Sequence, residues 1–293
     1  MGTSNSFGGQ GNNTPLVPSW LGGDGNDGDS VGNDSEGAQS GTEEQGDNSA
    51  KNDTSQGQIN TNSSGRFTGA RTSFTNFINS DGRDRRALGR SVSSYISKAS
   101  GGSRTAAKRI GASKRVATGI VDFINTVRSQ GVVVALNSHN LGNLVGRPID
   151  EVFAGLLNDI CPDGGNIDEG LARNAFVETI AQLVTEGMES IDNLTVEQFQ
   201  HVIEIFVTNA IEGRLYNDIG TKIIFESANV QTGEFIQAQV HDFIQGSVSD
   251  AIARHASEFE NLSGLDTNIL VDHIYADAYE ILESLSENEA NHD

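Results

Sequence analysis

The sequence predicts an all-α protein, a bundle of several helices preceded by a long disordered tail. From about residue 66 to residue 286, apolar residues recur at every third or fourth position, as on one helix face. Strand-like alternation is nearly absent there, although residues 222–225 have the composition of a short extended piece. Before residue 66 the chain consists mostly of Gly, Asn, Asp, Ser, Gln and Glu. These observations favour a helical bundle over an α/β fold.

The first 65 residues divide into two segments. Residues 1–21 include an apolar cluster with two prolines, and we expect this segment to dock on a partner protein. The alternative is a tail that folds back on its own domain. Residues 22–65 contain too few large apolar side chains to offset an ordering cost of about 1–2 kcal/mol per residue, so we expect a disordered acidic linker. The candidate docking residues are Thr3, Ser4, Phe7, Pro15, Leu16, Pro18 and Trp20.

Residues 66–128 form a basic region that is predicted to be helical. Two apolar stripes predict its first helices, and they comprise Ala70, Phe74, Phe77 and Ile78, then Leu88, Val92, Tyr95 and Ile96. From residue 103 to residue 128 small residues are frequent among the basic ones. Small side chains let helices approach closely, so we expect tight packing in this stretch.

Residues 129–293 form an acidic region that is predicted to be a helical bundle. A short helix is expected over residues 150–160, after Pro148. Asp168 is the expected cap of the next helix, and Gly187 is its expected stop. Thr195 and Gln198 have the spacing of a capping box at the start of a third helix. Two more apolar stripes, over residues 236–252 and 270–285, predict the last helices.

The basic region belongs to a chain whose net charge is −21. Three explanations for its many basic residues remain open. The bases bind nucleic-acid phosphates, they contact an acidic partner, or they neutralise the chain's own acidic half. No nucleic-acid motif or aromatic stacking pattern supports the first explanation. The candidate contact residues for nucleic acid or an acidic partner are Arg83, Arg85, Arg86, Lys108, Arg109, Lys114 and Arg115.

Several kinds of chemistry are not expected from this sequence. Cys161 is the only cysteine, which excludes an internal disulfide and a multi-thiolate zinc site. The six histidines show no spacing of four residues, and no Gly-rich phosphate loop occurs, so we expect neither a metal nor a cofactor. Without an apolar run of about 18 residues or a secretory signal, a cytoplasmic protein without membrane attachment is expected.

A set of motifs covers most of the chain outside residues 22–64, and the motifs are specific as a set. They are Met1-Gly2-Thr3-Ser4, Phe7-Gly8-Gly9, Thr14 through Trp20, Arg66-Phe67 through Arg71, Phe74, Gly82-Arg83-Asp84-Arg85, Gly101-Gly102-Ser103-Arg104, Gly146 through Glu151, Cys161-Pro162-Asp163-Gly164-Gly165 and Asn217 through Lys222. With these motifs the chain resembles the B component of the Qat anti-phage defence systems.

The resemblance implies a non-enzymatic subunit encoded beside an ATPase, a QueC-like enzyme and a TatD-like nuclease. QueC-like enzymes use ATP to activate a deazaguanine carboxylate, and in related defence systems the acceptor is an N-terminal glycine amine. Gly2, exposed once Met1 is removed, is the matching residue here. An α-amino group ordinarily has a pKa of about 7.7–8.0, well below that of lysine, so more of it is neutral near pH 7. The alternative function is a nucleic-acid-binding adaptor that uses the basic helices.

Overall fold

The structure is a computed structural model that describes residues 63–161, 165–192, 194–220, 230–262 and 266–291. These residues belong to one compact unit, Gln58–Asp293. Every regular element among them is helical, which confirms the predicted all-α class. None of these helices combines the length and the apolar content that a membrane crossing needs. Residues 1–62, with the docking motif and nearly all of the linker, lie outside the described part, as do residues 222–225.

The helices of the described residues are numbered in chain order. They are α1 Ser63–Arg66, α2 Thr68–Asn79, α3 Arg85–Ser93, α4 Ser103–Lys108, α5 Gly111–Gln130, α6 Val132–Ser138, α7 Ile149–Ile160, α8 Ile167–Thr185, α9 Val196–Ile219, α10 Val230–Arg254, α11 Ala256–Glu260 and α12 Thr267–Asn291. A π-helical turn, Ser94–Ala99, continues α3, and a 3₁₀ turn, Gly142–Leu144, precedes α7.

The two apolar stripes of the basic region lie in the core, as predicted. All eight of their side chains are buried in α2, α3 and the π turn. Asp84 caps α3 by accepting a hydrogen bond of 2.9 Å from the backbone N–H of Ala87. The π turn is not signalled by the apolar spacing. It ends at Ala99 and is followed by Gly101 and Gly102, whose φ angles of +83° and +92° are ones that side-chain-bearing residues rarely adopt.

The ends of α8 and α9 test the capping predictions. The capping box at α9 is confirmed, because Thr195 and Gln198 each accept a hydrogen bond from the other's backbone N–H. Gly187 is confirmed as the stop of α8, with φ +79°. The expected cap of α8 is wrong. Asn166 accepts the hydrogen bond from the Glu169 N–H, and Asp168 lies within the first turn, where its carboxylate is free to pair elsewhere.

The helices of the basic and acidic regions share one core. α3 packs closely on α12, where a Cβ atom at Gly89 would lie 2.9 Å from Cβ of Glu289. α5 packs on α8 and α12, and its Gly119 lies against Ile160 of α7. A row of aromatic rings, with neighbouring centroids 5.7–6.4 Å apart, links α5, α7, α8 and α9 and consists of Phe123, Phe153, Phe176 and Phe206.

Candidate anion-binding cleft

A basic cleft of about 610 Å³ lies where α1, α4, α5, α8 and α9 meet. We call it the basic cleft, and its charged lining residues are Arg66, Lys108, Arg109, Arg115, Asp168, Glu169 and Arg214. Five of these side chains are cationic and two are anionic. The first turns of two long helices, α5 and α8, also line it, through Gly111, Ala112 and Asn166. Helix N-termini carry partial positive charge, which adds to that of the side chains.

Three of the seven predicted contact residues meet in the basic cleft. Lys108 ends α4, Arg109 follows it, and Arg115 lies in the second turn of α5. Arg115 has 71% of its side chain exposed and places one guanidinium nitrogen 3.4 Å from Glu169. An ion pair this exposed contributes little stability, so the guanidinium is available to another anion.

Repulsion between cations marks the inner part of the cleft. Burial lowers the pKa of Arg109, and the positive charges of Arg66 and Arg214 lower it further. Arg109 remains charged near neutral pH because a guanidinium has its usual pKa above 12. A bound anion would relieve this repulsion, which is the electrostatic reason for regarding the cleft as a ligand site.

Arg214 is held at the cleft by two carboxylates. Its Nε donates to Asp218 at 3.0 Å, and a terminal guanidinium nitrogen pairs with Asp168. Burial opposes the charge, but Asp218 and Asp168 prevail and raise the pKa of Arg214. Asp168, which does not cap α8, therefore ties the first turn of α8 to α9.

Asp218 also joins the first helices to α9. The Tyr95 hydroxyl donates to its carboxylate at 3.0 Å, and the Arg71 guanidinium donates to its backbone carbonyl at 2.8 and 3.1 Å. Burial raises the pKa of Tyr95 well above its usual value, and Tyr279 and Asp218 raise it further, so the hydroxyl stays protonated. Arg71 and Asp218, which belong to two different motifs of the sequence, thus meet at this network.

The other four predicted contact residues lie elsewhere. Lys114 points to α12, where its Nζ is 2.8 Å from Asp272. Arg85 pairs with Glu289 at 3.5 Å on the contact between α3 and α12. Arg83 lines a smaller cavity of about 300 Å³, together with Asp81, Gln231, Thr232 and Phe235. Arg86 is exposed on α3.

The predicted modification and docking residues, from Gly2 to Trp20, lie outside the described residues. Sequence reasoning missed two cleft residues, Arg66 and Arg214. Arg66 is the first residue of the motif that runs from Arg66 to Arg71, so the sequence motif could have identified it. Arg214 comes from the acidic region, about 100 positions after Lys114, and only the fold brings it to the basic helices.

A second cavity, of about 520 Å³, lies between α8, α9 and α10. Its lining is mostly polar and includes Glu178, Glu212 and His241. His241 Nδ1 lies 2.8 Å from a Glu212 carboxylate oxygen. This hydrogen bond raises the pKa of His241; burial opposes the shift, and the charges of Glu212 and Asp242 support it.

Comparison with known proteins gives one match. The family model described as Qat anti-phage system associated protein QatB matches residues 101–282, more than half of the chain. The matched segment runs from the start of α4 into α12 and contains every charged residue of the basic cleft except Arg66. No curated protein and no solved structure matches the chain.

Proposed function

The chain belongs to the QatB family of Qat anti-phage system associated proteins, and on that basis we propose that it presents its N-terminal tail to a QueC-like enzyme of the same system. In this proposal the chain is a non-enzymatic scaffold and substrate subunit of the defence complex. The ATPase and the TatD-like nuclease of the system are its further partners. The family match is the observation that carries the proposal.

The proposed chemistry takes place at Gly2. The QueC-like enzyme activates a deazaguanine carboxylate with ATP, and the Gly2 amine nitrogen attacks the activated carbonyl carbon. An amide bond forms, the activating group leaves, and the amine loses a proton. A glycine amine suits this reaction because it is unhindered and, with an ordinary α-amino pKa of about 7.7–8.0, partly neutral near pH 7.

The segment behind Gly2 supplies the docking contacts in this proposal. Thr3, Ser4 and the glycines at positions 8 and 9 have small side chains, which suits an extended segment that enters a narrow active site. Trp20 and Leu16, with Phe7 and the two prolines, supply the apolar anchor. In this proposal the helical bundle that begins at α1 is the part of the chain that carries the tail.

Copurification with the QueC-like enzyme tests the docking step. Deletion of residues 2–20 is expected to abolish copurification, because it removes the anchor with the acceptor. Deletion of residues 31–49, of the same length, keeps both and is expected to preserve it. Thermal unfolding of each variant checks that the helical bundle is intact. Equal copurification of the two variants would exclude the N-terminal motif as the docking site.

A second candidate function is binding of nucleic acid at the basic cleft. The convergence of Lys108, Arg109 and Arg115 favours it. Lys114 and Arg85 face α12 instead, where they pair with Asp272 and Glu289, so they lie outside the basic cleft. Mobility shifts with duplex DNA at several salt concentrations test this function. Each contact between a basic side chain and a phosphate releases counterions, so the affinity falls more steeply with salt when there are more such contacts. The variant Lys108→Glu/Arg115→Glu is expected to lose the shift, and Arg86→Glu is its exposed control. No shift with the unaltered chain at low salt would remove the candidate.

A further inference from the structure

A cluster of two histidines and a glutamate joins the end of α10 to α12. His255 lies between α10 and α11, Glu258 lies in α11, and His273 lies in α12. One ligand atom from each of the three lies within 4.8 Å of the others. The two imidazole rings are stacked, with centroids 5.7 Å apart and planes inclined by 25°. The spacing of 18 residues between the histidines hides this cluster from a search for helical pairs.

Both ring nitrogens of His255 face carboxylate oxygens. Nδ1 is 2.7 Å from Glu258, and Nε2 is 3.2 Å from Asp277. A metal ion bound at Nδ1 would lie between the ring lone pair and the Glu258 oxygen, while Nε2–H donates to Asp277.

We propose that His255, Glu258 and His273 bind a divalent transition-metal ion, with zinc as the best match to imidazole and carboxylate ligands. His255 Nδ1 is the ligand atom, and Asp277 acts behind it by accepting from Nε2–H. A carboxylate in this position fixes the orientation of a metal-binding imidazole and increases its basicity. The guanidinium of Arg254, 3.6 Å from Asp277, balances the charge of that second carboxylate.

The ligands can adjust to an ion. Zinc holds nitrogen and oxygen ligands at about 2.0–2.2 Å in a tetrahedral arrangement, so the donor atoms must separate or approach by about an ångström. His273 is exposed and Glu258 is partly exposed, which leaves their side chains room for this shift. A fourth position remains for water or for a group from a partner.

The ion would fix α11 to α12. The short helix α11 carries Phe259, whose ring meets Phe199 of α9 edge-on with centroids 5.2 Å apart. The Phe259 carbonyl accepts a hydrogen bond of 3.1 Å from Arg128 of α5. The proposed site thus adds α12 to a corner where α11 already contacts α5 and α9.

Calorimetric titration of zinc chloride into the chelator-treated, untagged full chain tests the proposal. We expect saturation at one zinc ion per chain and a rise in the thermal unfolding temperature. His273→Gln changes an exposed ligand side chain and is expected to weaken zinc binding at least about tenfold. Asp277→Asn is expected to weaken zinc binding about tenfold or more, because Asp277 orients His255. The matched control is His201→Gln, because His201 lies on α9 and also pairs with a carboxylate, that of Glu186. This variant should bind zinc as the unaltered chain does.

Three results would overturn the proposal. The first is an unaltered chain that binds no zinc with one-to-one stoichiometry. The second is an unchanged affinity in His273→Gln, which would assign the binding to other side chains. The third is equally tight binding of magnesium, which prefers oxygen ligands and would indicate a carboxylate site instead.

Discussion

Lys114 and Arg115 are neighbours on α5, yet they meet different surroundings. The Lys114 side chain is 17% exposed and lies between Asp272 and the ring of Tyr275, 5.9 Å from the ring centroid. The Arg115 side chain is 71% exposed and lines the basic cleft with other cations. Bases that face the acidic helix α12 take part in holding the fold together. In the basic cleft the cations outnumber the carboxylates, and the exposed Arg115 is available to a ligand although it also lies near Glu169.

The contrast extends to the rest of the basic region. On the side of α12, Arg85 meets Glu289, and the backbone N–H of Ser103 donates to Glu283. On the side of α8, Arg109 meets Arg66 and Arg214. The bases that face α12 therefore meet acidic side chains, whereas the basic cleft on the side of α8 has five cationic lining residues and two anionic ones, so that side keeps an excess of positive charge.

Gly89→Val is the change expected to break this arrangement most severely. Its side chain would collide with Glu289 and with the Ser286 carbonyl oxygen, 3.0 Å from an added Cβ atom. The contact between α3 and α12 would open, at a cost of about 2–3 kcal/mol in unfolding free energy. Urea denaturation followed by circular dichroism measures the loss.

Gly213→Ala is the matched control for that change. Gly213 also lies within a helix, but an added Cβ atom has no neighbour within 4 Å. The substitution is expected to stabilise the protein by up to about 1 kcal/mol, because alanine favours helix more than glycine does. Similar losses in both variants would show that close contact at Gly89 is not what joins the two helices.

Lys114→Ala and Arg115→Ala compare the two sides of α5 directly. Loss of the partly buried pair with Asp272 is expected to cost about 1 kcal/mol. Loss of the exposed Arg115 is expected to change the unfolding free energy by less than about 0.5 kcal/mol. A double-mutant cycle of Lys114 with Asp272 separates the pair energy from the packing of the lysine stem. A larger loss of unfolding free energy in Arg115→Ala than in Lys114→Ala would show that the cleft side of α5, and not the α12 side, stabilises the fold.

His241→Gln is expected to have a small effect that depends on pH. Because the folded-state pKa of His241 is raised, its stabilising contribution is complete below the unfolded value of about 6.5 and disappears as pH rises through the folded value. The substitution should lower the free energy of unfolding by less than about 1 kcal/mol near pH 6 and by almost nothing near pH 9. Thermal melts at the two pH values measure the difference. A larger loss of stability at pH 9 than at pH 6 would contradict a raised pKa of His241 in the folded protein.

Sequence patterns predicted the long helices, but they did not single out the short helices α6 and α11, the π turn or the sites. Apolar spacing and the Thr195 capping box predicted α9 because both signals are local. The cap of α8 was predicted wrongly at Asp168 because two suitable residues stand near the helix start, and tertiary pairing with Arg214 decides between them. The basic cleft and the cluster of His255 with His273 each require helices that are distant in sequence. No local pattern encodes those contacts.

We propose that the Gly2 amine is the group presented to the QueC-like enzyme. Intact-mass spectrometry with N-terminal fragmentation, on the chain coexpressed with that enzyme and on the chain expressed alone, tests it directly. The predicted result is a gain of one deazaguanine acyl group on Gly2 in the coexpressed chain only. An unmodified N-terminus after coexpression, or the same group on a lysine side chain, would contradict the claim.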